Sequence, residues 1–557
     1  MGSPNIHTTQ QWNISAGVQN YSLILALPAA HFQHVTQIKG FRFWDLGFGF
    51  SIKYRILLHT YFLMKESLKQ RTAKGLFWSA INSGSTQVLN LVIGIILARL
   101  LTPEDYGIVG LLTIFIALAG DIQSAGFTLG LINIKHPEAK DYNSVFSFNV
   151  CASVILYTLL FLAAPIIADF FHQECLIKAS RVTFLTFFIS SLGIAHGGYM
   201  TKNMMNKEIA ITGGIALLSS GTTGITLAFL DYGYWALIWQ QITYCAVVII
   251  CRYHFVREWR PKLTLNFTPV WNMGMFSIKI LVTKLINTLS NNILTVIFGR
   301  LFPIHQVGNY SQAYKWNTMA NSLVSNTVGQ IAQTIFVETN DNYQTGDNND
   351  RQLRVFRKMM RFTCFFSMPL MFGLALVSRE FILITIKEQW LGCVPLLQTL
   401  CISGAFMPIY TMYQNLTISH GRSGLYMWIN TLQIILQIAV ILAFYRFGMQ
   451  TMVSAYSAFL ILWLIPWHLF SGKLIGYRFT DALKDIMPFC IISAGIMAVV
   501  YFLTASLTNI WALISTRIAL CVVLYYIAMK AAHVEILKEG EHFIKNNLLK
   551  RHKKNES

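Results

Sequence analysis

"ARLLTPEDYGIVGLL" (Ala98–Leu112) and "GRLFPIHQVGNYSQA" (Gly299–Ala313) carry the same punctuation. Each opens on a small residue followed by Arg-Leu. A proline follows shortly, a glycine stands eight residues past the arginine, and each stretch lies between two apolar segments. Shifting the chain by 201 residues places Arg99 on Arg300 and Gly107 on Gly308. Upstream, Ser83 falls on Lys284, Thr86 on Asn287 and Asn90 on Asn291. These last positions step by three and four, so each copy writes one polar stripe along a helix. The spacing predicts two similar lobes of six spans, entered from the same side of a membrane and related by an axis along the membrane normal.

Composition supports a membrane. Of 557 residues, 54% are apolar and 12% are charged, about half the charged fraction of a soluble domain. Nearly charge-free stretches of about 20 residues recur, enough to cross hydrocarbon as helix. A soluble helical protein would need polar faces that these stretches lack. The expected fold is an all-α polytopic membrane protein of about 14 transmembrane helices: two parallel six-helix repeats around a central cleft, plus two C-terminal helices. The expected divisions are an N-terminal extension 1–63, an N-lobe 64–262, a C-lobe 263–480, two further spans in 481–531 and a basic tail 532–557. The extension lacks a clear period. It is followed by "MKESLKQRTAKG" from Met64, a basic lead-in of the kind that starts a multi-span protein. Met64 is therefore expected to be the true start.

The net charge of +19 would suggest nucleic acid in a soluble chain. Here Lys and Arg gather in loops of one side, which orients the protein instead and leaves no role for nucleic acid. Lys65, Lys69, Arg71 and Lys74 precede the first span, and Arg252, Arg257, Arg260 and Lys262 follow the sixth. Arg351, Arg354, Arg357, Lys358 and Arg361 follow the eighth, and Lys550, Arg551, Lys553 and Lys554 end the chain. An even span count then puts both termini in the cytoplasm. The run Glu338–Arg361 reads as a polar linker leading into a basic interfacial helix. Its charge is either a lipid-headgroup contact or ordinary positive-inside bias.

Nine cysteines are scattered, several inside apolar segments (Cys151, Cys245, Cys401, Cys490, Cys521), with no metal-ligand spacing. They read as small apolar residues, and no metal or cofactor is expected. No Walker sequence and no carboxylate constellation occurs, so an enzyme is not expected.

Charge inside the spans points to the site. Lys284 is near the middle of the seventh span, and Lys279 lies about a turn nearer the cytoplasm. Lys315 is in the outer part of the eighth, and Asp121, in "ALAGDIQSAGF", is near the middle of the second. A charge at mid-bilayer costs at least ~2.5–3.5 kcal/mol, so each needs water or a partner. Lys284 either binds an anionic headgroup or pairs with Asp121 across the lobes. Both hold if the pair bridges one state and opens when substrate takes the lysine. The candidate substrate-binding residues are Lys284, Asn287, Asn291, Lys279 and Lys315, with Asp121 for gating or ion coupling. Snorkelling is the alternative for Lys279 and Lys315, and helix-to-helix bonding for the isolated Ser and Thr. Arg99 and Arg300, at the outer ends of their spans, read as interfacial anchors. "PED" (Pro103–Asp105) reads as a helix start with acids at its positive end.

The residues "KGLFWSAINSG" (Lys74–Gly84), "ARLLTPEDYGI" (Ala98–Ile108) and "GFTLGLI" (Gly126–Ile132) resemble the opening spans of bacterial polysaccharide flippases. These belong to the multidrug/oligosaccharidyl-lipid/polysaccharide exporter superfamily. The likeness covers 64–530 as a span pattern and is sharp over 74–133. It implies two lobes around a cleft that opens alternately to each side of the bacterial inner membrane. The implied cargo is an undecaprenyl-diphosphate-linked oligosaccharide moved from the cytoplasmic to the periplasmic leaflet, with membrane lipids, a polysaccharide polymerase and assembly proteins as partners. The final two spans resemble the extra pair of the lipid II flippase branch, but that branch's arginine-rich first span is absent here. The alternatives are a drug/cation antiporter of the same fold, which would want acids in its cleft, and a glycan-assembly scaffold without transport.

Overall fold

The structure is a computed structural model describing residues 68–124, 131, 134, 137–264, 266–341, 348–539 and 541–542. The expected extension 1–63 and the basic tail residues Lys550, Arg551, Lys553 and Lys554 lie outside the described residues, as do the side chains of Ser83, Ser277 and Lys279. The chain divides into Met1–Lys74, described only over its helical residues 68–74, and Gly75–Ser557, which holds every contact discussed below.

The chain is a succession of long helices: α1 (Leu68–Leu100), α2 (Pro103–Ser124), α3 (Ala139–Phe171), α4 (Cys175–Lys202), α5 (Asn206–Phe229), α6 (Tyr234–Phe255), α7 (Thr268–Leu301), α8 (Ile304–Asp341) and α9 (Asn348–Ile386). After a 3₁₀ segment (Glu388–Cys393) come α10 (Val394–Gly404), α11 (Met407–Ser419), α12 (Ser423–Ala443), α13 (Met449–Ser471), α14 (Phe479–Leu503) and α15 (Ile510–Ala531). Among the described residues, eleven helical segments are long and apolar enough to cross a membrane, Glu388–Ser419 counting as one. α1 contributes a shorter apolar stretch, Gly84–Leu100. α8 falls outside that set because Asn, Ser, Thr and Gln interrupt its apolar residues.

Local chemistry sets the boundaries. Pro103 opens α2, where a missing N–H costs nothing. The Asp105 carboxylate accepts from the Thr102 amide and hydroxyl, both at 2.9 Å, and the Asp105 amide donates to the Thr102 hydroxyl, a capping box. The helix start read from "PED" is therefore present. α3 begins with a second such box between Glu138 and Asp141. The tenth expected span is broken in the structure: α10 ends at Gly404, and α11 restarts with Pro408 in its first turn, where proline is tolerated.

Outward faces are apolar. On α3, Ile155, Leu159, Leu162 and Ile166 form one stripe and are each at least 60% exposed. α12 presents Trp428, Leu432 and Ile435 in the same way. Such stripes suit hydrocarbon and would aggregate in water. The larger of two apolar clusters is shared by both halves, with Leu97, Leu111, Phe298, Tyr310, Trp390 and Tyr413 essentially inaccessible.

The two quoted stretches meet each other in the structure. A Cβ placed on Gly107 would lie 2.3 Å from the Ile304 carbonyl oxygen, and one on Gly308 would lie 1.7 Å from that of Pro103. Ile304 is Pro103 advanced by 201 positions, so the two contacts exchange under the shift found in the sequence. Arg99 donates to the Ile384 and Thr385 carbonyls at the C-terminal end of α9. Arg300 donates to the Phe170 carbonyl at the end of α3, at 2.7 Å, and meets His172. Cations at helix C-termini satisfy orphan carbonyls and the negative end of the dipole. The sequence reading made both arginines interfacial anchors; the structure adds that each is tied to a helix of the opposite half. Gln389 and Trp390 add bonds to the Leu101 and Ala98 carbonyls at 3.0 and 2.7 Å.

α14 and α15 are fastened to α9 at two levels. Arg517 of α15 pairs with Glu380 at 2.8 Å, both nearly buried. Towards the other end, Arg357 and Arg361 of α9 hold the fully buried Asp485 of α14, Nε to carboxylate oxygen, at 2.8 and 2.6 Å.

Candidate functional site

α7 and α8 form the wall between two polar cavities, and Tyr314 borders both. Their polarity has a positional logic. On α8, Tyr314, Asn317, Thr318, Asn321, Ser322 and Ser325 recur at three- and four-residue steps, so they share one face. A lipid-facing stripe of this kind would leave amides without partners. Here it faces a cavity.

The first cavity, about 510 Å³, lies among α2, α4, α6, α7 and α8, and Lys315 is the only charged residue of its lining. The Lys315 ammonium is 5.7 Å from the centre of the Tyr106 ring and 5.9 Å from that of Trp316. Gly94 of α1 makes room for it: a Cβ there would sit 2.9 Å from Nζ. Among the described residues no carboxylate pairs with Lys315. Ring faces return about 0.5–2 kcal/mol each, against an insertion cost of ~2.5–3.5 kcal/mol. The cation is therefore close to balanced and has attraction left for water or an anion. Beside it, neither side-chain polar atom of the fully buried Gln312 has a hydrogen-bond partner, nor has the Ser311 hydroxyl. Buried groups of this kind call for a ligand or water.

The second cavity, about 410 Å³, lies among α7, α8, α11, α12 and α13. Its lining holds six Asn, two Gln and three Tyr side chains and no Asp, Glu, Lys or Arg. Asn287 donates to the Tyr426 hydroxyl at 3.1 Å, and Asn321 to the Gly404 carbonyl at 3.1 Å. The Asn317 amide nitrogen is buried without a partner. Each primary amide offers donors and an acceptor together, which suits uncharged, hydroxyl-rich molecules better than ions.

Of the residues named from sequence, Asn287 and Asn291 line the second cavity and Lys315 the first. Asp121 lies at the α2–α7 contact, and both it and Lys284 lie outside both linings. The Thr288 hydroxyl donates to Asp121 at 2.5 Å, and Lys284 stands one turn from Thr288 on the same face of α7. Lys279 is on α7, its side chain outside the described ones. The sequence reading missed the α8 amides and Gln312. The signal was available in "QAYKWNTMANSLVSN", where Asn recurs after steps of four and five residues.

A family model described as "Polysaccharide biosynthesis protein" matches residues 96–395. Among curated proteins, the chain is 22% identical to the teichuronic acid biosynthesis protein TuaB of Bacillus subtilis, over 78% of this chain and 89% of that one. It is 22% identical to the lipopolysaccharide biosynthesis protein WzxC of Escherichia coli, over 64% and 71% respectively. It is 23% identical to the succinoglycan biosynthesis transport protein ExoT of Rhizobium meliloti, over 63% and 70%. Among solved structures, a lipid II flippase MurJ in an inward closed conformation superposes with a TM-score of 0.69 at 16% identity, over 83% of this chain and all of that one. An inward-facing multidrug resistance MATE transporter of the MOP superfamily follows at 0.57 and 14%, over 70% and 94%. The chain belongs to the polysaccharide biosynthesis protein family. It is a multi-pass membrane transporter with the fold of that exporter superfamily, as its opening spans implied.

Proposed function

We propose that this member of the polysaccharide biosynthesis protein family flips undecaprenyl-diphosphate-linked oligosaccharides from the cytoplasmic to the periplasmic leaflet of the bacterial inner membrane. It does so by alternating access, for surface-polysaccharide assembly. One observation carries the reading: a cavity with a single cation adjoins a cavity walled by neutral amides, and Tyr314 borders both. The diphosphate rests against Lys315 while sugar hydroxyls meet the amides, and the polyprenyl tail stays in lipid. A diphosphate with sugars cannot enter hydrocarbon unaided, and a wet cleft removes that barrier.

α1, α7 and α8 complete a set of 14 spans, α10 and α11 together crossing once. An even count returns both termini to the basic, cytoplasmic side. The two six-helix lobes are supported by the reciprocal contacts of Gly107 with Ile304 and Gly308 with Pro103, and of Arg99 and Arg300 with α9 and α3. Those contacts gather at the end opposite the basic loops, so this arrangement is the state loaded from the cytoplasm. Lys284, one turn from the Thr288 that bonds Asp121, acts with Asp121 as the gate between lobes, and Lys279 acts as an entry cation. A polymerase and assembly proteins are the partners this activity brings with it.

The test is complementation of a strain lacking its surface-glycan flippase, alongside a drug-resistance assay. Wild type restores the glycan, Lys315→Gln lowers export at least tenfold, and Lys315→Arg recovers part of it. Undiminished export by Lys315→Gln removes the lysine from the mechanism, and undiminished export by Lys284→Gln removes the proposed gate. A drug/cation antiporter shares the fold. The absence of Asp and Glu from both linings weighs against it, and drug efflux without glycan rescue would reinstate it.

A further inference from the structure

A third cavity, about 610 Å³, opens at the basic end of the molecule between α9, α14 and α15. Its rim is cationic. Arg354, Arg357, Lys358 and Arg361 line it from α9, and Lys484 from α14. The α9 residues fall at three- and four-residue steps, so they form one face. The floor is apolar, made by Phe489, Ile492 and Met529.

Asp485 organises the rim. It is fully buried, accepts from Arg357 and Arg361, and also accepts from the Tyr477 hydroxyl at 3.0 Å. Arg361 spends only its Nε on the carboxylate, so its terminal nitrogens remain for a ligand. Arg357 also approaches Asp481 at 3.8 Å, and Lys358 is held by Glu539 at 2.6 Å. Arg354 and Lys484 are exposed and make no ion pair among the described residues. Glu535 is the acid in the lining. The helices flanking the cavity turn large apolar residues outward: Phe362, Phe366 and Leu370 on α9, and Leu483, Met487 and Ile491 on α14.

Positive-inside bias alone scatters cations over loops. It does not draw two guanidiniums together on one buried carboxylate above an apolar floor. Guanidinium groups match phosphate oxygens in pairs, and basic pockets between helices on the cytoplasmic side suit anionic headgroups. The outward apolar faces supply the path for acyl chains. We infer that this cavity is a binding site for the phosphate headgroup of an anionic membrane phospholipid, apart from the transport cavities and independent of the cargo assigned above.

Delipidated full-length protein is titrated by native mass spectrometry with phosphatidylglycerol, phosphatidylethanolamine and inorganic diphosphate. Phosphatidylglycerol is expected to be retained at least tenfold more strongly than phosphatidylethanolamine, and equimolar diphosphate is expected not to displace it. The double variant Arg354→Gln/Lys484→Gln touches neither the Asp485 nor the Glu539 bonds and is expected to fold. It should lose retention about fivefold per charge removed. Arg257→Gln/Arg260→Gln, equal in charge but remote, should retain the lipid. Equal retention of the two lipids overturns the inference, as does an equal loss in the remote variant. Displacement by diphosphate mole for mole assigns the site to a soluble anion and overturns the lipid.

Discussion

On the proposed alternating access, Gly308→Ala puts one methyl group where the two lobes close at their outer ends. Its Cβ would lie 1.7 Å from the Pro103 carbonyl oxygen and 2.6 Å from that carbonyl carbon, and real Cβ contacts essentially never fall under 3.0 Å. The obstacle is backbone, so no rotamer change relieves it. α8 must therefore withdraw from the start of α2 by roughly 1.3 Å, in an interior packed as densely as a crystal. Overpacking of this kind typically costs about 1–3 kcal/mol. Taken as a penalty on the closed outer end alone, about 2 kcal/mol moves a two-state equilibrium roughly thirtyfold towards outer opening.

The assay is reagent access. Thr113 lines the first cavity from α2, and Thr113→Cys reports on it. In cells treated from outside with an impermeant maleimide, adding Gly308→Ala should raise labelling of that cysteine at least tenfold and slow glycan export. Gly107→Ala, whose Cβ would lie 2.3 Å from the Ile304 carbonyl oxygen, should act in the same direction and more weakly. Gly120→Ala serves as control, since nothing lies within 4 Å of its Cβ. Folded Gly308→Ala protein with unchanged labelling refutes the reasoning: the glycine contact would then not hold the outer end shut.

Gln312→Leu should raise the melting temperature of the purified protein, because both polar atoms of that buried side chain lack partners and a leucine needs none. It should nonetheless reduce export; a gain in stability with full export would make Gln312 a packing residue. Asp485→Asn leaves Arg357 and Arg361 without their buried carboxylate and should destabilise by about 1–3 kcal/mol, since both arginines keep access to solvent, read as a lower midpoint in detergent unfolding. Arg300→Gln removes the tie to the end of α3 and should increase outside labelling of Thr113→Cys, with Arg99→Gln acting in parallel. An effect from one arginine alone would break the expected equivalence.

The sequence made the helical membrane class and the 201-residue correspondence readable because both are local or periodic. Apolar runs declare themselves, and Pro103, Gly107 and Gly308 repeat at fixed spacing. The bonding partners of the arginines were not legible for a physical reason. The termini that receive Arg99 and Arg300 are 285 and 130 residues away in the chain. The pocket around Asp485 was equally out of reach: its cations were visible as loop charge, but their convergence on one buried acid of α14 exists only in three dimensions. The break between α10 and α11 was hidden by apolar residues that read continuously across it, with Pro408 as the one local cue.

The amides of α8 were overlooked for a different reason. Charges mark function inside the membrane most plainly, and Lys315 is legible that way. Yet one ammonium against two ring faces accounts only for holding a headgroup. An uncharged glycan needs many weak donors and acceptors, which Asn317, Asn321 and their neighbours provide without the cost of burying ions. α8 therefore fails the length-and-apolarity criterion that eleven other segments meet, and that failure is itself informative. In a bundle whose other helices can face lipid, the helices too polar to do so must line water or cargo. The polar wall between the cavities could have been located from composition alone, before any charge was considered.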